Sequence, residues 1–186
     1  MEKKLADLLL SLHTDQKAHS FRSLHKHLEG TYNILKEWGN NEAICLAGLF
    51  HSIYGTNTFK NQSIELSKRC EVRKVIGDKA EDLAFLFCTT NRKFIKALEK
   101  RPFYLKSIVS EEIIEVNEEK LKALIEIEAA NLLEQFPHLI FQKKRIIRKI
   151  KKMITDAEQY LSKNAIQSLY TVVKKYDKFP FSLLKF

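Results

Sequence analysis

The chain has 186 residues, 45% of them hydrophobic and 30% charged. That balance is globular and lets one domain bury its core without disulfide or metal staples. A formal charge of +9 favours polyanions only in a non-specific sense, and no apolar run approaches the ~20 residues that a membrane span needs. Cys45, Cys70 and Cys88 show no C-x-x-C spacing and read as reduced core thiols of a cytoplasmic protein.

Five Gly and three Pro are too few for many short strands, and the apolar spacing is mostly helical. An all-α single domain over 1–186, of about seven to nine helices, is expected. The opening MEKKLADLLLSLHTD reads as an amphipathic helix from Glu2 to His13, not an export signal, with Leu5, Leu8, Leu9 and Leu12 on one face. A second helix is predicted from Ser20, a good N-cap, to Gly39; its stripe of Phe21, Leu24, Leu28, Leu35 and Trp38 is bordered by His27. The third, Asn41 to Ser52, sets Ile44, Ala47, Gly48 and His51 on one face, with two small residues permitting close packing.

A polar loop follows, then a helix from Ser63 to Ile76 that Gly77 stops. Asp78 and Glu81 suggest a capping box for the next helix, which runs through Phe87 until Asn91 and Arg92 interrupt it. Pro102 suits the first turn of a short element, and Ser107 to Val116 is either loop or irregular strand. Asn117 caps a helix to Gln135 that Pro137 ends. Two more are expected, His138 to Ile154 and, after Thr155-x-x-Glu158, on to Tyr176. The tail Phe179 to Phe186 would dock on this core or on a neighbouring subunit; oligomeric state is open.

His27 and His51 stand out, because neutral imidazoles on adjacent helices can share a metal or act as acid and base near neutral pH. The stretch from His27 (HLEGTYNILKEWG) through EAICLAGLF to His51-Ser52-Ile53-Tyr54-Gly55-Thr56 resembles the opening of the HD-domain superfamily. The resemblance implies an all-helical pocket in which a His on one helix and a His-Asp pair on the next hold metal, joined by an acidic residue from a late helix. Here Ser52 replaces the Asp, and the late position is matched by Asn131. Both changes remove negative charge that would offset a divalent cation. Glu81 or Asp82 is the candidate replacement carboxylate. No His lies between His51 and His138, so the extra histidines of di-iron relatives have no counterparts. More closely, residues 19–92 are similar to a bacterial family of unknown function with the signature HL-x-GT, WG, AGLFHS-x-YGT.

Thr31, Ser52, Tyr54 and Thr56 offer hydroxyls to a ligand. Arg73 and Arg92 suit phosphate or carboxylate, and Asn131 completes the candidate ligand-binding set. The plain alternative makes His27 and His51 core histidines bonded to Tyr32, Tyr54 or backbone. His25 should point elsewhere and be exposed, His19 borders the pocket, and His13 and His138 are structural. The basic run from Lys143 to Lys152 reads as a solvated helix face, with nucleic acid ranked last as partner.

The leading expectation is therefore an HD-like helical domain that binds a small anionic metabolite or nucleotide around His27 and His51. These two would be metal ligands and catalytic groups, with iron, manganese or zinc as an optional cofactor and phosphate-ester hydrolysis as the reaction. The competing expectation is a non-catalytic sensor or interaction module with a degenerate metal site. Whether the chain is an enzyme stays open.

Overall fold

The computed structural model describes residues 3–14, 18–19, 22–55, 62–139 and 141–176. Among them nine α-helices run α1 (Lys3–Ser11), α2 (Leu24–Glu37), α3 (Glu42–Phe50), α4 (Arg69–Ile76), α5 (Asp78–Thr89), α6 (Phe94–Ala97), α7 (Glu118–Gln135), α8 (Lys143–Ala157) and α9 (Lys163–Tyr176). Two antiparallel hairpins join them: β1 (Ala18–His19) with β2 (Arg22–Ser23), and β3 (Phe103–Lys106) with β4 (Ile113–Val116). The all-α reading holds, and none of these helices is long and apolar enough to cross a membrane.

Caps explain where the central helices start. Asn117 accepts from Lys120 N at 2.9 Å, as expected, and Asn41 from Ile44 N at 3.1 Å, a cap at the expected start of α3. Other boundaries move. Ser23, not Ser20, is the N-cap of α2, because the chain first pairs as the small β1–β2 hairpin. Asp78 is the first residue of α5 rather than its cap, and Glu81 is drawn into ion pairs instead of a capping box. Helix α8 passes straight through Thr155, whose hydroxyl bonds back to Lys151 O; Ser162 is the residue that accepts from Ala165 N ahead of α9. The undecided stretch 107–116 ends in β4, and Pro102 precedes β3 rather than opening a helix.

Helix α7 is the hub. Apart from its first turn it is buried nearly all round, with Leu121, Leu124, Ile125 and Ile127 inaccessible, and α2, α3, α5, α8 and α9 all pack against it. Four polar residues are buried on it: Glu126, Glu128, Asn131 and Glu134. A helix turns about 100° per residue, so its three buried glutamates leave in three directions, each to a different partner set. Glu126 accepts from Asn40 at 3.2 Å and from Ser162 N at 3.1 Å, tying α9 to the end of α2.

Helix α8 buries Ile146, Ile147, Ile150, Met153, Ile154 and Ala157 and exposes Lys144, Arg145, Arg148 and Lys149, the solvated basic face expected. Cys45 and Cys88 are core thiols, but Cys70 is exposed. His25 is half-buried, with Nδ1 3.3 Å from the Thr14 hydroxyl, and not simply exposed. The aromatic tail Phe179 to Phe186 and the loop residue Thr56 lie outside the described residues.

Candidate functional site: a buried histidine pair and two glutamate clusters

Helices α2 and α3 approach so closely at Gly48 that a Cβ there would sit 2.3 Å from Leu35 Cδ1. That approach brings His27 Nε2 to 3.1 Å from His51 Nε2. His51, at the C-cap of α3, turns Nδ1–H back onto the Gly48 carbonyl at 2.6 Å. On the far side His27 donates from Nδ1 to Glu134 of α7, a closely held pair. Gly30 makes room for it: a Cβ on Gly30 would lie 2.9 Å from Glu134 Cγ and Oε1. The glycine of HLEGT thus admits the carboxylate that fixes the histidine three residues earlier.

All four ring nitrogens therefore face protein partners, and both rings are inaccessible, at 0% and 1% exposure. The Gly48 carbonyl only accepts, so His51 Nδ1 bears hydrogen, and Glu134 takes the hydrogen of His27 Nδ1. One hydrogen shared between the two Nε2 atoms joins the rings, and the Glu134 carboxyl closes the His27 end of the string. The plain alternative named Tyr32, Tyr54 or backbone as partners: the Gly48 carbonyl is such a backbone partner of His51, while the two tyrosine hydroxyls donate to Glu42 and Glu81.

Iron, manganese or zinc would use Nε2 of His27 and His51, whose Nδ1 groups are already oriented by a carbonyl and a carboxylate, the usual outer-shell arrangement. Yet such ions take three or four protein ligands. Among the described residues no group of three His, Cys, Asp or Glu side chains is placed to hold an ion. Glu134 lies behind His27 rather than beside the Nε2 atoms. The donors described here do not complete a site.

The expected ligand-binding residues separate into groups. Thr31 donates to its own helix at His27 O, 3.0 Å, and Ser52 is buried next to His51 in the chain. Tyr54 and Arg73 meet, but on Glu81: the carboxylate receives Tyr54 OH at 2.9 Å, Arg73 Nε at 2.8 Å, and Arg69 Nε and Nη2 at 2.7 and 2.8 Å. Arg69 also stacks 3.5 Å over the Phe85 ring. Burial works to raise the Glu81 carboxyl, but Arg69, Arg73 and Tyr54 outweigh it and hold the group below the usual range. Burial, then the Glu81 contact, pushes the Tyr54 phenol upward. Glu81 is therefore locked away from the histidines, against the expectation that it or Asp82 replaces the missing ligand; Asp82 pairs with Lys120 at 2.8 Å.

Arg92 and Asn131 come together at Glu128, with Arg92 Nη1 3.5 Å and Asn131 Nδ2 3.4 Å from Oε2. One ring joins this group to the histidines: Phe87 meets His51 edge-on at 5.2 Å and Arg92 at 5.2 Å. Glu134 is the functional residue that sequence reasoning missed. Its signal was the register of α7, where it follows Asn131 by three residues and shares its side of the helix.

Residues 8–92 match the model of a family described as a domain of unknown function (DUF6817). No curated protein and no solved structure matches the chain. The matched segment contains His27, His51 and Glu81, whereas Glu128, Asn131 and Glu134 come from beyond it.

Proposed function

We propose that this chain is a cytoplasmic, HD-like binding module for a small anionic metabolite or nucleotide, in which the histidine pair is a closed polar keystone rather than a reaction centre. The observation that supports the reading is the satisfaction of all four imidazole nitrogens within the protein, with both rings inaccessible. A nucleophile or base needs a proton or lone pair facing substrate, and neither ring is accessible from the surface. Buried cysteines fit a reducing compartment, and burial pushes the Cys88 thiol up to about 12.

The second reading, a metal-assisted phosphohydrolase, is favoured by the convergence of the two Nε2 atoms. Elemental mass spectrometry on the native protein and on a His27→Ala/His51→Ala variant, with p-nitrophenyl phosphate turnover, separates the two. The keystone reading expects no stoichiometric metal and no hydrolysis, with the variant losing stability. Near-stoichiometric iron, manganese or zinc that vanishes in the variant together with phosphatase activity would overturn it.

A further inference from the structure

We propose that the β3–β4 hairpin is a docking edge for another protein: its outer strand, β4, takes an extended segment as a third strand. That segment carries a lysine or arginine beside Glu115 and apolar residues beside Ile113 and Ile114. The proposal is independent of the reading given to the histidine pair.

The ladder itself shows which edge is open. Lys106 lies opposite Ile113 and Tyr104 opposite Glu115, and Ser107 N bonds to Glu112 O at 2.8 Å. Bonded and non-bonded pairs alternate in an antiparallel ladder. Leu105 with Ile114 and Phe103 with Val116 therefore exchange hydrogen bonds, while Ile113 and Glu115 turn N–H and C=O away from β3. Among the described residues no backbone group outside the ladder meets them, and no third strand joins this sheet. The far edge of β3 is different. There Asn91 N reaches Lys106 O at 3.0 Å, Ile108 N reaches Thr89 O at 2.7 Å, and Thr90 bridges Ser107. One edge is closed by the protein's own chain; the other presents two donors and two acceptors, a template for strand addition.

The side chains around β4 indicate the composition of the partner. Ile113 is 64% exposed, and with Tyr104, Ile108 and Val109 it makes up half of the eight large hydrophobic residues left exposed among those described. Such clustering marks an interaction surface, whereas scattered exposure does not. From Phe103 to Val116 the hairpin carries Glu111, Glu112 and Glu115 against the single cation Lys106, in a chain whose formal charge is +9. Edge-to-edge pairing of two copies would gather both sets of carboxylates, a device that blocks self-association. A cationic strand meets the opposite condition. Glu112 is engaged by the Ser110 hydroxyl at 2.9 Å, which leaves Glu115 as the charge on β4 itself. Alternation then assigns the positions. On the face that carries Tyr104 and Lys106, a cavity lined by Lys93, Lys96, Lys100 and Lys106 extends to Ile113 but not to Glu115. The added cation therefore belongs beside Glu115, and an apolar residue beside Ile113. On the opposite face Ile114 is half-buried and favours an apolar neighbour.

The test is fluorescence anisotropy of a labelled, end-blocked peptide, Lys-Val-Ile-Val-Lys, titrated with the full chain; its symmetric order fits β4 in either direction. It should bind about ten-fold tighter than Glu-Val-Ile-Val-Glu. Methylating its three central amides should abolish binding, because strand addition uses the peptide N–H groups. Glu115→Lys should reverse the order of the two peptides. Ile113→Pro removes an outward N–H without touching the ladder to β3, so it should weaken the lysine peptide about ten-fold at an unchanged melting temperature. Should that variant misfold, the charge reversal at Glu115 still decides. Equal binding of the two peptides, insensitivity to amide methylation, or no binding at millimolar peptide would overturn the proposal. So would dimers seen by analytical ultracentrifugation that Ile113→Pro dissociates, because they would assign the edge to a second copy.

Discussion

Glu81 and Glu128 are both buried carboxylates next to arginines, yet they are held very differently. Glu81 receives four hydrogen bonds between 2.7 and 2.9 Å from Arg69, Arg73 and Tyr54. Glu128 is approached by Asn131, Arg92 and Lys149 at 3.4, 3.5 and 3.8 Å. A saturated buried charge fixes the packing of α4 on α5 and leaves its arginines little capacity for an incoming anion. The Glu128 contacts are longer and hold α8 to α7 more loosely. Counting arginines near a carboxylate does not separate the two roles; the distances do.

The sharpest way to break the comparison is to remove each carboxylate. Glu81→Ala leaves Arg69 and Tyr54 facing a buried void, and urea unfolding should show a loss of about 3–5 kcal/mol. Glu128→Ala should cost less than about 1 kcal/mol by the same measurement, since its contacts are loose. Similar losses in both variants would erase the distinction.

Acid provides a second comparison. A carboxyl held low when folded stabilises the protein above its unfolded value near 4.5, and that contribution disappears as pH falls toward the folded value. Urea midpoints should therefore drop below about pH 4.5, with a shallower drop in Glu81→Gln. An equally steep drop in that variant would assign acid sensitivity to other groups.

The smallest effects lie at the edges of the two clusters. Gly30→Ala pushes a methyl onto Glu134 and should cost about 1–3 kcal/mol, read by thermal melting. Thr90 Oγ1 is buried without a hydrogen-bond partner, so Thr90→Val should be neutral or stabilising by up to about 1 kcal/mol. A clear loss there would show that the hydroxyl is used.

Much of the scaffold was legible in the sequence. Periodicity marked the helices, and Asn117 caps where its side chain said it would, because capping is a local hydrogen bond. The inward face of His51 was readable for the same reason. Tertiary charge pairing was not. Glu81 looked like a capping residue by spacing, but two arginines a turn apart on α4 claim it, and only packing decides that. Glu134 escaped because the expected acidic position was sought at Asn131, and the exchange of partner along α7 depends on Gly30 of a distant helix. Ser20 lies outside the described residues, Ser23 capping α2 in its place, and Thr155 failed as a cap because helix continuation outcompeted a local preference.

The contact from His27 to Glu134 spans 107 residues of chain. During synthesis, α2 and α3 leave the ribosome long before the carboxylate that completes their polar string exists. Until α7 arrives, one imidazole must remain hydrated at the seam of two apolar helices, holding that seam open to water. A chain that stops short of α7 therefore lacks the carboxylate that closes its own centre.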